Sequence, residues 1–367
     1  MPMGEAIGPL EPRWSPVRRI AVLRGGGLGD LLFAVPALDA LAAAYPDAEV
    51  VLLGAPGPSD LLAGRPGPVH RVVPLPPAHG VHEPPGRRDP AEDAAARRRF
   101  ADRVGPVDLG VQLHGGGRWS NPFLLSLDPK WTVGARTGDA VSLTRWIPYR
   151  YYQNEVMRGL EIAGLAGAPP VRVVPRIART PADRDAAERA LSGLPRPLLT
   201  VHPGATDPRR RWPPERFAEV AVAVARAGAG VVVLGTPAER DLVELVTKLA
   251  NDRLPDGVVR ALTDLDLDGL CGVLDASTVV LANDSGPRHL AEAVGTATVG
   301  VYWMGNALNA SSFGRARNRV LISWTSACPV CGVDCTREDL PRCPHDVSFV
   351  SSVPTGDAVR EVTDLLG

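Results

Sequence analysis

The chain has 367 residues, 45% of them hydrophobic and 22% charged, with a formal net charge of −1. That length exceeds what one hydrophobic core usually serves and points to two domains, and the even charge balance argues against nucleic acid as the main partner. No run approaches the roughly 20 apolar residues that span a bilayer, and the N-terminal MPMGEAIGPLEPRWSPVRR lacks the apolar centre of a secretory signal. A cytoplasmic protein is expected, with at most peripheral contact at the inner face of the plasma membrane.

Short apolar runs alternate with helical patterns from the start of the chain. Strands are expected at RIAVLR (19–24), EVVLLG (49–54), RVVPL (71–75), DLGVQLH (108–114) and WTVGAR (131–136), with helices at 31–44 and 90–104. The strands are almost continuously apolar rather than alternating, as when helices cover both faces of a parallel sheet. Proline and glycine clusters at 55–68 and 76–90 read as loops.

A linker-like stretch at 167–196 (GAPP, ARTPADRD, GLPRP) precedes a second series. Strands are expected at 197–204, 230–235, 258–262, 278–284 and 296–303. Helices are expected at 214–228, 237–250, 266–275 and from 287, and TGDAVREVTDLL reads as a closing amphipathic helix. The boundaries that follow are a first domain at 1–180, a second at 181–350, and the closing helix within 351–367. The fold class is α/β, with ligands expected at the carboxyl ends of the strands, in a central cleft that the two domains face.

Three stretches carry chemistry. RGGGLGD (24–30) looks like a dinucleotide-binding turn, but Asp30 or Leu32 falls where G-x-G-x-x-G needs its third glycine. Asp30 reads either as a carboxylate capping the following helix or as a general base on a loop that lets substrate come close. In TVHPGATDPRRRWPPERF (200–217), Arg209, Arg210 and Arg211 follow a strand end, where guanidinium forks would meet phosphate oxygens. In LANDSGPRHLAEAVG (281–295), Asp284 or Ser285 can cap a helix. Gly286 lets an anion approach the helix's positive end, and His289 lies in its first turn.

Together these stretches resemble glycosyltransferase family 9, the ADP-heptose:lipopolysaccharide heptosyltransferases, over nearly the whole chain. RIAVLRGGGLGDLLFAVPALDAL is similar to the family's strand, small-residue loop and Leu-Gly-Asp before a Pro-Ala-Leu helix. VHPGATDPRRRWPPERFAEVA resembles its Pro-Gly-Ala, basic residue and Arg-Trp-Pro segment, and NDSGPRHLAEAVGTATVGVY its Asp-Ser/Thr-Gly-x-x-His-Leu-Ala signature. The resemblance implies a GT-B fold of two Rossmann-like domains. The first would bind the acceptor and the second a nucleotide sugar, in an inverting transfer that requires no cofactor or catalytic metal. It implies Asp30 as the base. Donor contacts are implied at Arg210 (where the family usually has lysine), Arg211, Glu239 (on the nucleotide ribose, or alternatively a first-turn helix carboxylate), Asp284, Ser285, Gly286 and His289. Acceptor-side candidates are Gly29, Gln112, His114 and Arg118. The implied partners are an ADP-heptose-like donor and a glycan or lipid-linked acceptor, with no nucleic acid. A non-catalytic nucleotide-sugar binder, a transferase or epimerase using a UDP- or GDP-sugar, and a nicotinamide oxidoreductase remain open alternatives.

CPVCGVDCTREDLPRCPH sets Cys328, Cys331, Cys335, Cys343 and His345 at C-x2-C-x3-C-x7-C-x-H. These are enough soft ligands for a structural zinc, although the later intervals match no standard ribbon. Reduced thiols or a disulfide are the alternatives.

Overall fold

A computed structural model of the chain describes residues 8–84, 90–254, 258–337 and 339–367. Residues 1–7 of the N-terminal segment and 85–89 of the loop expected at 76–90 lie outside the described residues. The chain divides into two units, Met1–Ala178 and Arg179–Gly367.

The first unit runs β1 (Arg19–Arg24), α1 (Leu28–Ala44), β2 (Glu49–Gly54), β3 (Arg71–Pro74), α2 (Pro90–Val104), β4 (Leu109–Gln112), α3 (Ser120–Leu125), β5 (Trp131–Arg136), β6 (Arg145–Pro148) and α4 (Glu155–Leu165). Its six strands are all parallel in the order β3-β2-β1-β4-β5-β6. Ile20 to Leu23 are completely buried, which is why this strand shows no alternation. The order reverses beside β1, so the carboxyl ends of β1 and β4 mark the place where such sheets bind ligands. Strand β6 is an addition to the elements expected from sequence. Its four residues, RWIP, alternate between buried and exposed at the sheet edge and carry too short a pattern to stand out. Helix α4 starts at Asn154, whose side chain accepts from the Val156 and Met157 N–H groups.

The second unit runs α5 (Pro181–Leu191), β7 (Leu198–His202), α6 (Pro214–Arg226), β8 (Gly230–Leu234), α7 (Arg240–Asn251), β9 (Val259–Leu262), α8 (Leu267–Asp275), β10 (Val279–Asn283), α9 (Gly286–Val294), β11 (Ala297–Trp303), α10 (Met304–Ala310), β12 (Asn318–Ser323) and α11 (Thr355–Leu366). Its parallel order, β12-β11-β10-β7-β8-β9, repeats that of the first sheet, with the reversal between β7 and β10. The stretch read as linker-like contains α5, a correction with a clear cause. Thr180 and Asp183 form a reciprocal capping box and Pro181 occupies the first helical position, so TPAD is a helix start rather than a loop. Helix α5 packs on α8, and α11 closes over the valine-rich core through Ala358 and Val362.

Candidate active site

In the first unit the site forms where β1 runs out. Arg24, its last residue, is only 7% exposed. Its Nε donates to the Asp30 carbonyl at 2.8 Å, its Nη2 to Asp30 Oδ1 at 2.8 Å, and Nη1 and Nη2 each reach Glu155 Oε2 at 3.2 Å. Its Nη1 also donates to the Leu113 carbonyl, and Arg158 pairs with Glu155 from the other side. Asp30 is the third residue of α1, not its N-cap. Gly27 takes that place, and its N–H donates to Asp30 Oδ2 at 2.9 Å. Asp30 therefore accepts the N–H of the N-cap residue while its carboxylate stays 47% exposed.

Gly29 lies half-buried one residue before Asp30. His114 sits beside Gly25, and burial, then the charge of Arg24, pushes its pKa below the ordinary value. Gln112 does not fit the acceptor role expected for it. It is fully buried, its amide donates to Ser120 Oγ and Asn121 Oδ1, and its oxygen accepts from the His114 N–H. A glutamine at the last position of an inner strand is used up holding the next loop. Arg118 is exposed and lies over the half-exposed ring of Trp119, which meets His79 edge-on at 4.5 Å between centroids.

In the second unit the three arginines separate. Arg209 is held by Asp207, whose pKa falls to about 2: burial would raise it, but the bonds and charge of Arg209 outweigh burial. Arg211 donates from Nε to the Ala205 carbonyl. Arg210 alone reaches the head of α9, where its Nη1 meets Asp284 Oδ2 at 3.0 Å. Asp284 is 3% exposed, and its other oxygen lies 3.0 Å from His289 Nε2. Arg288 can only donate, so its Nη1 bond to His289 Nδ1 makes His289 the Nε2–H tautomer that donates to Asp284. Burial would raise the Asp284 pKa, but the His289 bond and the Arg210 charge leave it below the usual carboxylate value. Asp284 and His289 thus form an internal support. The groups presented at the surface are Arg210, Ser285 and the backbone of Gly286 at the positive end of a helix.

Two further residues complete this end of the sheet. Glu239 accepts from the Thr236 N–H and hydroxyl, both at 2.9 Å. Its pKa is pulled to about 2, chiefly by His202 and then, against burial, by Thr236. His202, the last residue of the central strand β7, places Nδ1 3.0 Å from Ser285 Oγ and Nε2 3.6 Å from Glu239 Oε2. Sequence reasoning gave roles to Ser285 and Glu239 but not to the ring between them. Nor did it give one to Glu155, which no local pattern links to an arginine 131 positions away.

Cys328, Cys331, Cys343 and His345 bring their ligand atoms within 4.8 Å of one another. Cys335 is outside this group, its Sγ 3.3 Å from the Val333 carbonyl, so the expected set of five reduces to four. None of the five cysteines is disulfide-bonded in this structure.

Two Rossmann-like sheets of the same strand order, each with polar groups gathered where the order reverses, are the architecture of the GT-B fold. Residues 130–329 match glycosyltransferase family 9 (heptosyltransferase), and the chain belongs to that family. It is 23% identical over 295 residues to lipopolysaccharide heptosyltransferase 2 of Escherichia coli K12, covering 77% of this chain and 82% of that one. Its fold is similar to the crystal structure of a family 9 glycosyl transferase from Veillonella parvula, with a TM-score of 0.75, 18% identity, and 95% and 97% of the two chains covered. It is also similar to TibC of enterotoxigenic Escherichia coli, a dodecameric iron-containing heptosyltransferase solved with ADP-D-β-D-heptose. That match has a TM-score of 0.52 and 14% identity, covering 97% of this chain and 78% of that one.

Among the described residues no helix is long and apolar enough to cross a membrane.

Proposed function

We propose that the chain transfers a heptose from ADP-heptose to a hydroxyl of a glycan or lipid-linked acceptor of the lipopolysaccharide-core type, with inversion at the anomeric carbon. Family membership and the relatives' donors support the sugar and the nucleotide. The observation that carries the mechanism is the exposed carboxylate of Asp30, held by Arg24 and the Gly27 N–H at the end of β1.

In this reading the acceptor oxygen attacks the anomeric carbon as its proton passes to Asp30. The bond from that carbon to the diphosphate oxygen breaks, and its electron pair leaves with ADP. Arg210, the Ser285 hydroxyl and the N–H groups at the head of α9 meet the charge that develops on the leaving group. Glu239 takes the ribose hydroxyls. On the acceptor side, Gly29 leaves room beside Asp30, while His114, Arg118 and the Trp119 ring offer polar and stacking contacts.

The test is Asp30→Asn. Turnover should fall by roughly 10²- to 10⁴-fold while ADP affinity stays within about twofold of the parent enzyme. Undiminished turnover would reduce Asp30 to a helix cap. Binding of ADP in preference to UDP and GDP checks the nucleotide, and preference for either of the others would overturn the donor assignment.

The proposal extends to the cysteine segment, where Cys328, Cys331, Cys343 and His345 hold one structural zinc or iron ion. Three thiolates and an imidazole are a suitable donor set. Ligand atoms within 4.8 Å of one another need only a small inward shift to meet an ion at about 2.0–2.3 Å. Metal analysis of protein purified without chelator should return about one ion per chain, and none would end the metal assignment.

A further inference from the structure

His202 joins two groups that stand on different loops. It ends the central strand of the second sheet, with β10 on one side and β8 on the other. Toward β10 its Nδ1 is 3.0 Å from the hydroxyl of Ser285, and toward β8 its Nε2 is 3.6 Å from Glu239. The ring is almost wholly buried, whereas Ser285 is half-exposed.

The protons on this chain of three groups are limited. Glu239, with a pKa held to about 2, is a carboxylate and only accepts, so the proton of a neutral His202 belongs on Nε2, facing it. Nδ1 then has a lone pair and takes the single proton of the Ser285 hydroxyl. In that state Ser285 shows only lone pairs to whatever lies outside, which is the wrong face for a phosphate. Turning the hydroxyl outward would leave two lone pairs opposed across 3.0 Å in a buried place. A second proton on the ring resolves this. Nδ1–H donates to Ser285 Oγ, the hydroxyl turns outward to donate to the phosphate, and Glu239 balances the imidazolium.

We infer that His202 is a positioning residue that takes up a proton when the donor's diphosphate binds and thereby converts Ser285 into a hydrogen-bond donor. This rests on the donor-site reading above. The step moves one proton from solvent to Nδ1, and no covalent bond between heavy atoms changes. The charged groups on the surrounding elements are Glu239 on the turn after β8, Asp284 beside Ser285, and Arg210 on the loop that follows His202 itself. The last two are paired with each other, so the ring's partner in charge is Glu239. Proton uptake would also be reversed on product release, linking departure of ADP to deprotonation of the ring.

The experiment is a pH titration of the histidine ring resonances of the full chain, with and without saturating ADP. His202 is one of seven histidines, and its signal is assigned by its loss in His202→Gln. Saturating ADP should move its titration midpoint upward by about one pH unit or more, equivalent to roughly tenfold tighter ADP binding by the protonated form. In Ser285→Ala, which keeps the ring and removes the hydroxyl, that shift should fall to less than half. If His202→Gln does not fold, the signal is assigned instead by its response to Thr236→Ala and Ser285→Ala together. A midpoint that stays or falls with ADP bound overturns the inference, as does an equal shift in Ser285→Ala. Failure of the parent chain to bind ADP at all is a different result, which removes the donor reading and this inference with it.

Discussion

Arg24 and Asp30 are joined twice, through the Asp30 carbonyl and through its carboxylate, both at 2.8 Å. The guanidinium that holds the Asp30 carboxylate is itself buried among Leu113, Glu155 and Arg158, so the end of β1, the residue after β4, α1 and α4 meet on one side chain. Truncating it strips Glu155 of one of its two cations and leaves two carbonyls without their donor. Arg24→Ala should cost about 3–5 kcal/mol, the usual penalty for breaking a buried ion pair, and lower the unfolding midpoint of the first unit by roughly ten degrees. Arg24→Lys should recover less than half of that loss, because an ammonium cannot span both Asp30 and Glu155. Thermal unfolding of the two variants tests this, and an unchanged midpoint in Arg24→Ala would refute it.

The loop between them requires glycine at one place in particular. Gly26 has φ +93°, and a Cβ there would collide with the Asp30 carboxylate, whereas at Gly27, with φ −84°, it would lie 3.9 Å away. Gly26→Ala should therefore displace Asp30, lower turnover at least about tenfold and destabilise the unit by about 1–2 kcal/mol. Gly27→Ala should cost under about 1 kcal/mol and little activity. Equal effects in the two variants would show that the loop's shape does not set the position of Asp30.

The same residues show what was legible in the sequence. Unbroken runs such as RIAVLR and GVVVLG place parallel strands almost to the residue, because both faces are buried. The failed glycine fingerprint at Asp30 singled out the residue now found ion-paired at the strand end. Chain order says nothing of groups that meet through the sheet. His202 stands 83 positions from Ser285, and neither residue's neighbours announce the other. Three consecutive arginines read alike, yet Asp207 holds the first, a carbonyl holds the third and only Arg210 reaches Asp284. Linker composition misled at α5 because TPAD serves equally as a turn and as a capping box.

Glu239 makes the second unit sensitive to acid. Its folded-state pKa of about 2 lies below the ordinary 4.5, so its stabilisation is complete above about pH 4.5 and is lost as the pH falls toward 2. Asp207, lowered from 3.8 to about 2, acts in the same window and in the same direction. Glu239→Gln should thus be less stable than the parent chain at pH 5, with the gap narrowing steadily from pH 4.5 down to pH 2.5. Denaturant midpoints across this range measure the gap, and a constant one would mean that Glu239 contributes no proton-linked stability.

The cysteine segment is tied to the loop that carries Arg210. The Phe349 N–H donates to the Arg209 carbonyl at 2.7 Å, Ser348 Oγ to the Arg211 carbonyl at 2.6 Å, and Arg342 approaches Asp207 at 3.4 Å. Arg209 also lies over the Phe349 ring. These contacts hold both sides of Arg210 from a stretch with little regular structure of its own, so whatever orders that stretch also orders the loop. Removing the ion proposed at Cys328, Cys331, Cys343 and His345, by chelator or by Cys343→Ser, should weaken ADP binding about tenfold. That is the equivalent of one or two hydrogen bonds released from the loop. Ser348→Ala should weaken it in the same direction without loss of metal, which separates the brace from the ion. Calorimetric titration with ADP decides, and affinity that survives metal removal would leave the segment with no part in holding the Arg210 loop.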